Sequence, residues 1–572
     1  MKKLSAIFCL LLSGILAFAS PVSREEARRV ASAFFADGSR LSDCSAAPDG
    51  IYVFNRAGGG FVIVSSDDSA IPVLAYSFDG SFTLAGAPDN LGAWAENTSR
   101  VLRHQAGKLR RQSSGLQALW DNPVSVRSKS GEVLIETATW NQKAPFNYYS
   151  PDVDGQKSIA GCVPVAMAII MRHFSWPASG VGSLPSYTYK TDKGNSRTQP
   201  GHSLGHSYDW DNMPLHHVPE DNRAVAQLIY DCGIMVQAYY NPKGTSAYTG
   251  DAPNAMVAHM SYSKAALMQN RSYFSTSVWF SKVKASLDGG IPLLYSATSS
   301  GDYGHAFVVD GYDEDYRLHV NWGWGGECNG WFALDCFFPY TDISKEEEYG
   351  YYYSHGAVFW LVPDKDASSD YTPYLCLRRH GDRKGILVDR GRVAAGENFE
   401  LSFGLCTNSG LSNYTGAVAV ALEDANSNFI QLIGEEVAVE DLEPGYGGII
   451  TEYEGELPAT VGLGCRIRPY YKAGADWVPM FGNSDEAVVS SLPAGPDVYF
   501  IETDYAYFSG EKLQLKLCNG STAYSSVKWY FDGTECPGAV TAPLEKGQHC
   551  IKAVITFPDG MVETICQDLM AR

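Results

Sequence analysis

The sequence predicts an α+β protein whose last 200 or so residues are all β, and three stretches carry that prediction. Ser158-Ile-Ala-Gly161-Cys162-Val163-Pro164, continuing to Met171, passes from a polar approach into an apolar run with few β-branched residues in its middle. It predicts a buried helix headed by Cys162, with Pro164 in the first turn, where a missing N–H costs nothing. Gly304-His305-Ala-Phe-Val-Val-Asp310-Gly-Tyr312, the polar turn Asp313-Glu-Asp315, and Tyr316 to Trp322 predict a β-hairpin. Beyond Pro363 the chain breaks into short alternating strands separated by Gly, Asn and Pro, the spacing of β-sandwich modules.

Taken in order, Lys2 and Lys3, an apolar core from Leu4 to Leu16 and the small-x-small site Ala17-Phe-Ala19 read as a signal peptide over 1–19. No other stretch is long and apolar enough to span a bilayer. Residues 20–125 read as a compact α+β unit. Ser23 and Glu26 make a capping box for an amphipathic helix through Ala27, Val30, Ala31 and Phe34. Ile51 to Phe54 and Phe61 to Val64 are strands joined by a Gly-rich turn, and Leu91 to about Arg111 is a second helix. The polar segment Asp121 to Gly131, with Arg127 and Lys129, has the composition of a nicking site. A further domain runs over 126–363, containing a long Gly-, Pro-, Ser- and Tyr-rich excursion at 179–220. Val278 to Tyr295 reads as a helix, a Gly289-Gly290 stop and a strand. The linker Lys365 to Asp370 leads to modules at 367–492 and 493–572, parted at Leu492-Pro-Ala-Gly-Pro496. Their strands include Phe399–Phe403, Ala417–Leu422, Ile467–Tyr471, Leu513–Leu517, Val527–Phe531 and Ile551–Ile555.

At 572 residues one core is excluded. Hydrophobic residues at 45% and charged residues at 19% describe an ordinary globular protein. The net charge of −20 argues against a nucleic-acid or anionic-membrane partner.

The chemistry rests on Cys162, His305 and Asn321. A helix N-terminus offers unpaired N–H groups and the positive end of the dipole, which stabilise a thiolate. A Cys there is more often inert packing, and the hairpin changes that balance. Folded about Glu314, it sets His305 opposite residue 323 within a residue or two, placing Asn321 and Trp322 beside it. A thiolate that attacks, an imidazole that carries the proton and an amide that orients the imidazole are the parts of thiol acyl transfer. The separations, 305 − 162 = 143 and 321 − 162 = 159, are close to the ~130–150 residues of papain-like enzymes, although the papain-type local signature is absent. His319 and His173 are the competing histidines.

Gly161-Cys162-Val-Pro-Val-Ala-Met-Ala, Gly304-His305-Ala-Phe-Val-Val-Asp-Gly and His319-Val-Asn321-Trp322-Gly-Trp-Gly-Gly326 resemble the streptopain family of secreted bacterial cysteine proteases. Trp140-Asn141-Gln142 resembles the opening of the mature enzyme, and Gly60 to Ser65 with Leu74 to Ser77 that family's inhibitory propeptide. The resemblance covers roughly residues 22–362 and implies a papain-like catalytic domain behind an inhibitory pro-domain that also assists folding. It implies that the side chain of Gln142 and the N–H of Cys162 form an oxyanion hole, and that Trp322 shields the His–Asn pair from water. Phe338 to Ser354, rich in Glu and Tyr, departs from the mobile Gly-rich loop of relatives, so substrate preference does not carry over.

The reading is thus a secreted bacterial cysteine endopeptidase made as a zymogen, acting on protein or peptide substrates. Its fold is α+β with two C-terminal all-β, Ig-like sandwich modules open to a surface or protein ligand. No cofactor and no metal are expected. His202-x-x-x-His206 has zinc-ligand residue types, but no helix supports the spacing and no Cys lies nearby. Of thirteen cysteines, Cys518, Cys536, Cys550 and Cys566 cluster where oxidising conditions would allow pairing. The rivals are a transglutaminase- or amidase-like acyltransferase and a surface adhesin with a vestigial protease domain.

Overall fold

A computed structural model describes residues 21–334 and 353–571 apart from short stretches, of which 106–113, 124–131, 379–385, 491–499 and 502–508 are the longest. The signal segment, most of the polar segment at 121–131, residues 338–352 of the departing loop and the break at 492–496 lie outside the described residues. No helix among the described residues is long and apolar enough to cross a membrane.

The N-terminal unit begins with helix α1 (Arg24–Phe35), capped by Ser23, whose Oγ accepts the Glu26 N–H at 3.1 Å. Its buried face is Ala27, Val30, Ala31, Phe34 and Phe35, the stripe that the sequence spacing predicts plus one aromatic. Strands β1 (Leu41–Asp43), β2 (Ile51–Arg56), β3 (Phe61–Ser65) and β4 (Val73–Ser77) form an antiparallel meander, followed by α2 (Asp89–Gln105) and α3 (Ser114–Asp121). The β2–β3 turn needs Gly60: its φ is +106°, and a Cβ there would meet the Ser77 carbonyl oxygen at 2.8 Å.

The middle of the chain contributes helices α4 (Cys162–Phe174), α5 (Ala224–Met235) and α6 (Ala252–Met260), then β5 (Leu267–Asn270) and α7 (Thr276–Asp288). Strands β6 (Leu293–Thr298), β7 (Gly304–Tyr312), β8 (Leu318–Asn321), β9 (Gly330–Phe332) and β10 (Tyr353–Phe359) follow. The 179–220 excursion is more ordered than its composition suggests. Tyr187–Lys190 pairs with Ser196–Gln199, Ser183–Leu184 pairs with His202–Ser203, and Tyr187 and Tyr189 are buried.

The two units share one sheet, in the order β1-β2-β3-β4-β9-β8-β7-β6-β10-β5. The junction pairs Tyr76 with Trp331 and Ala75 with Phe332, and the Ala333 N–H donates to the Leu74 carbonyl at 2.8 Å. Trp94 of α2 stands edge-on to Phe332, with ring centroids 4.9 Å apart. Arg317 and Asp313, a buried ion pair at 2.8 Å, are bonded to the N-terminal unit. Tyr76 Oη donates to Asp313, and Arg317 donates to the Val73 carbonyl. Burial, reinforced by the Asp313 charge, pushes the Tyr76 phenol far above its usual range. A continuous apolar core runs from Phe34 and Phe61 through Trp94 to Trp322 and Phe332. A second core, on the other face of the sheet, surrounds α4.

Past residue 363 two sheets, of five and seven strands, enclose one core. Leu377, Phe399 and Leu401 come from the first sheet and Val418, Val420 and Ile467 from the second. The module touches the middle unit where Phe481 packs on Phe274. The last segment has its own small core over a four-stranded antiparallel sheet built on Ser526–Phe531, Gly547–Thr556 and Val562–Ala571. The strand expected at Leu513–Leu517 is largely absent. Leu513 and Leu515 instead donate their N–H groups to Thr541 Oγ1 and the Ala539 carbonyl, and only Leu517–Cys518 is a strand.

Candidate active site

α4 is buried without interruption from Val163 to Met171, so it runs through the core rather than along the surface. It begins at the half-buried Cys162. Its N-cap is Gly161, with φ 99° and ψ 148°, and no side chain caps the first turn. The positive end of the helix dipole thus faces Cys162 with no capping side chain between. A Cβ on Gly161 would meet Thr245 Cγ2 at 2.9 Å. Thr245 is itself pinned, donating to the Ile159 carbonyl at 2.7 Å and accepting from the Asn241 N–H at 3.0 Å. The entry to the helix is held by a loop far away in sequence.

Two further segments meet this entry. Trp140 is buried and its indole donates to the Pro214 carbonyl at 2.9 Å. Asn141 Oδ1 accepts from the N–H groups of Gln142 and Lys143, a local turn that fixes the next residue. Gln142 is buried, and its carbonyl accepts the Ala160 N–H at 2.9 Å, two residues before Cys162. From the other side comes the turn after β8. Gly323 lies against Val165, Gly325 against Asn141 and Gly326 against Thr139, each at positive φ, and the Gly325 N–H donates to the Trp140 carbonyl. A side chain at any of the three would push the segments apart.

His305 is on β7, opposite Ala297 of β6, and α4 packs across both strands. The observed β7–β8 register pairs Val308 with Asn321 and carries a bulge between Val309 and Gly311. Extended, it sets His305 opposite residue 324, one residue from the sequence expectation. The bulge residue is Asp310, a buried carboxylate. Its Oδ1 lies 2.5 Å from His319 Nδ1, and its Oδ2 accepts from Thr137 Oγ1 at 2.5 Å. Thr137 in turn accepts from Asn321 Nδ2 at 3.0 Å. Asn321 Nδ2 also donates to the Ala138 carbonyl at 2.9 Å, and its Oδ1 accepts the Gly323 N–H. Asn321 is thus bonded to Thr137, Ala138 and Gly323, not to His305. The direct contact expected from the hairpin is replaced by one with the segment leading into Gln142, because β-strand alternation turns residue 321 to the side of Val308.

Trp322 is buried against Phe307 and Phe332, with its indole donating to the Cys328 carbonyl at 3.2 Å. Among the competitors, His319 is held by Asp310 and the ring of Trp331. His173 lies 11 residues along α4 from Cys162, about 16 Å at the helical rise. Sequence reasoning missed Thr137 and Asp310. An aspartate inside the apolar run Ala306 to Tyr312 was the available signal, since a buried charge requires partners.

Residues 140–332 match the Peptidase C10 family and residues 19–102 the Spi protease inhibitor. Streptopain of Streptococcus pyogenes is 30% identical over 310 residues, half of this chain and 75% of that protein. The chain belongs to the Peptidase C10 family. It is therefore a cysteine-type peptidase that carries an inhibitor pro-domain ahead of its catalytic segment. The thiol protease/hemagglutinin PrtT of Porphyromonas gingivalis is 30% identical over 380 residues, 62% of this chain, which spans 43% of that protein's length. The solved structure of a Prevotella intermedia prointerpain A fragment is 23% identical, with a TM-score of 0.44 over 57% of this chain and 99% of that one. Active interpain A from the same organism is 27% identical, with a TM-score of 0.36 over 41% of this chain and 96% of that one.

Proposed function

We propose that Cys162 is the nucleophile of a secreted bacterial endopeptidase and His305 its acid and base, with Gln142 and the Cys162 N–H as the oxyanion donors. The convergence of segments 139–142, 158–165 and 321–326 on the N-terminus of α4 carries this reading. The Cys162 thiolate, favoured by the uncapped helix N-terminus, attacks the scissile carbonyl. The resulting oxyanion accepts hydrogen bonds from the Cys162 N–H and the Gln142 amide, and these strengthen as charge develops. His305 then protonates the leaving amine and later takes a proton from the water that cleaves the thioester. Trp322 forms the dry wall behind β7. Asn321 is a positioning residue, tying the Gly-rich turn to the 137–138 segment so that Gln142 and the turn keep their places.

In this reading residues 1–19 are removed on export, 20–125 form the inhibitory pro-domain and 126–363 the papain-like catalytic domain. Residues 367–492 and 493–572 are Ig-like modules that bind a surface or protein ligand. Cleavage within 121–131 cuts the tether of the pro-domain, the first step toward an active enzyme whose substrates are proteins and peptides. Casein zymography of the wild type, with and without a thiol alkylator, and of Cys162→Ala tests the assignment. The variant should accumulate as uncleaved precursor with no band of clearing, and a clearing band from it would overturn the role given to Cys162.

A further inference from the structure

Asp231 of α5 is fully buried, and four groups close on its carboxylate. Gln227 Nε2 donates to Oδ1 at 2.7 Å and Tyr208 Oη to Oδ2 at 2.8 Å. His202 Nε2 stands 2.7 Å from Oδ1 and His206 Nε2 stands 2.8 Å from Oδ2. A carboxylate between two imidazoles can be an ion-paired cluster and no more, but one contact points elsewhere. His206 Nε2 is buried, yet among the described residues it makes no well-aimed hydrogen bond, to Asp231 or to any other group. Nitrogen and oxygen are close without being aimed at each other, as are two ligands directed at a shared ion. The three donor atoms lie within 4.8 Å of one another. Ligands at about 2.0–2.2 Å from one cation stand up to about 4 Å apart, so a small rotation of the half-exposed rings closes the site.

No helix carries residues 202 and 206. The structure supplies the geometry otherwise. His202 is on a short strand paired with Ser183–Leu184, His206 is on the loop after it, and the third donor comes from α5. We propose that His202, His206 and Asp231 bind a borderline divalent transition metal, with Zn2+ the leading candidate and solvent completing the shell. Two imidazoles and one carboxylate suit such ions and not Mg2+ or Ca2+, which take oxygen ligands. Next to Asp231, Cys232 Sγ donates to Met171 Sδ of α4 at 3.6 Å. The ion would therefore fasten the 179–208 excursion to the helix that backs the Cys162 helix.

The test uses the full-length Cys162→Ala precursor, so that the reactive thiol cannot itself take zinc. Competition of Zn2+ against a chromophoric chelator should show one ion held per chain at micromolar affinity or better. His206→Ala or His206→Gln in that background should weaken it by about 100-fold or more. Both variants should melt like the parent in metal-free buffer, since the ring is half exposed. Co2+ should give a visible absorption band in the parent alone. No zinc bound at about 100 µM free ion, or equal binding by the parent and both His206 variants, would overturn the proposal and leave an ion-paired cluster.

Discussion

Replacing Gly161 by Ala probes how the nucleophile is positioned without touching a reacting group. At φ 99° and ψ 148° the backbone is in a region that an L-residue enters at a cost of roughly 1–3 kcal/mol. The new Cβ would also sit 2.9 Å from Thr245 Cγ2 and 3.2 Å from the Thr245 carbonyl oxygen. Thr245 retreats only by loosening its bonds to Ile159 and Asn241, each worth about 1 kcal/mol. The sum is about 3–5 kcal/mol. In a domain of some 200 residues that lowers the melting temperature by roughly 6–20 °C. Differential scanning calorimetry of Cys162→Ala with and without Gly161→Ala measures this free of self-processing. With Cys162 in place, relief of the strain by shifting the helix start should cut kcat/KM on a peptide substrate by more than about tenfold. Melting within a degree of the parent together with turnover within about twofold would refute the claim that Gly161 and Thr245 set the position of Cys162.

Thr137→Val breaks the Asp310–Thr137–Asn321 chain and should destabilise the precursor by about 1–3 kcal/mol. It should lower kcat more than it raises KM, and a pure stability loss with normal kcat would show that Asn321 positions nothing catalytic. Burial pushes the Cys328 thiol up to about 11 and Cys232 well above the ordinary range. At pH 8 only about one part in a thousand of Cys328 is thiolate, so iodoacetamide should label Cys162 and spare both. Peptide mapping that finds Cys328 labelled as fast as Cys162 contradicts this, whereas Cys328 labelling that appears near pH 11 agrees. A purified segment from Ser20 to Arg111 should inhibit the mature enzyme in trans, and its Trp94→Ala variant at least about tenfold less. Equal inhibition by a folded variant would remove the Trp94–Phe332 contact from the inhibitory interface.

Local signals account for what was legible in advance. The Ser23 cap, the apolar run behind Cys162 and the 304–312 strand each depend on neighbours within a few residues, and each is where its pattern places it. Asn321 was misplaced for a specific reason. A hairpin count gives the register to within a residue or two, but one residue of bulge at Asp310 and the alternation of faces decide which partners a side chain meets. The cluster at Asp231 and the pairing of β4 with β9 join residues that are distant in the chain, and no period or spacing encodes them. Thr245 behind Gly161 is of the same kind.

Because β4 is hydrogen-bonded to β9, cutting the tether does not by itself part the inhibitor from the enzyme. A strand must peel from a sheet, Trp94 must leave Phe332, and Asp313 and Arg317 must trade protein partners for water. Nicking and the onset of activity therefore become two events with separate clocks. The second is set by dissociation, so the active fraction after nicking falls as the concentration of nicked protein rises. Once the strand has left, residues 330–332 become an open edge bearing Trp331 and Phe332. Such an edge invites another extended segment to pair with it. On the proposed activation, the released enzyme therefore exposes a pairing edge that its precursor keeps covered.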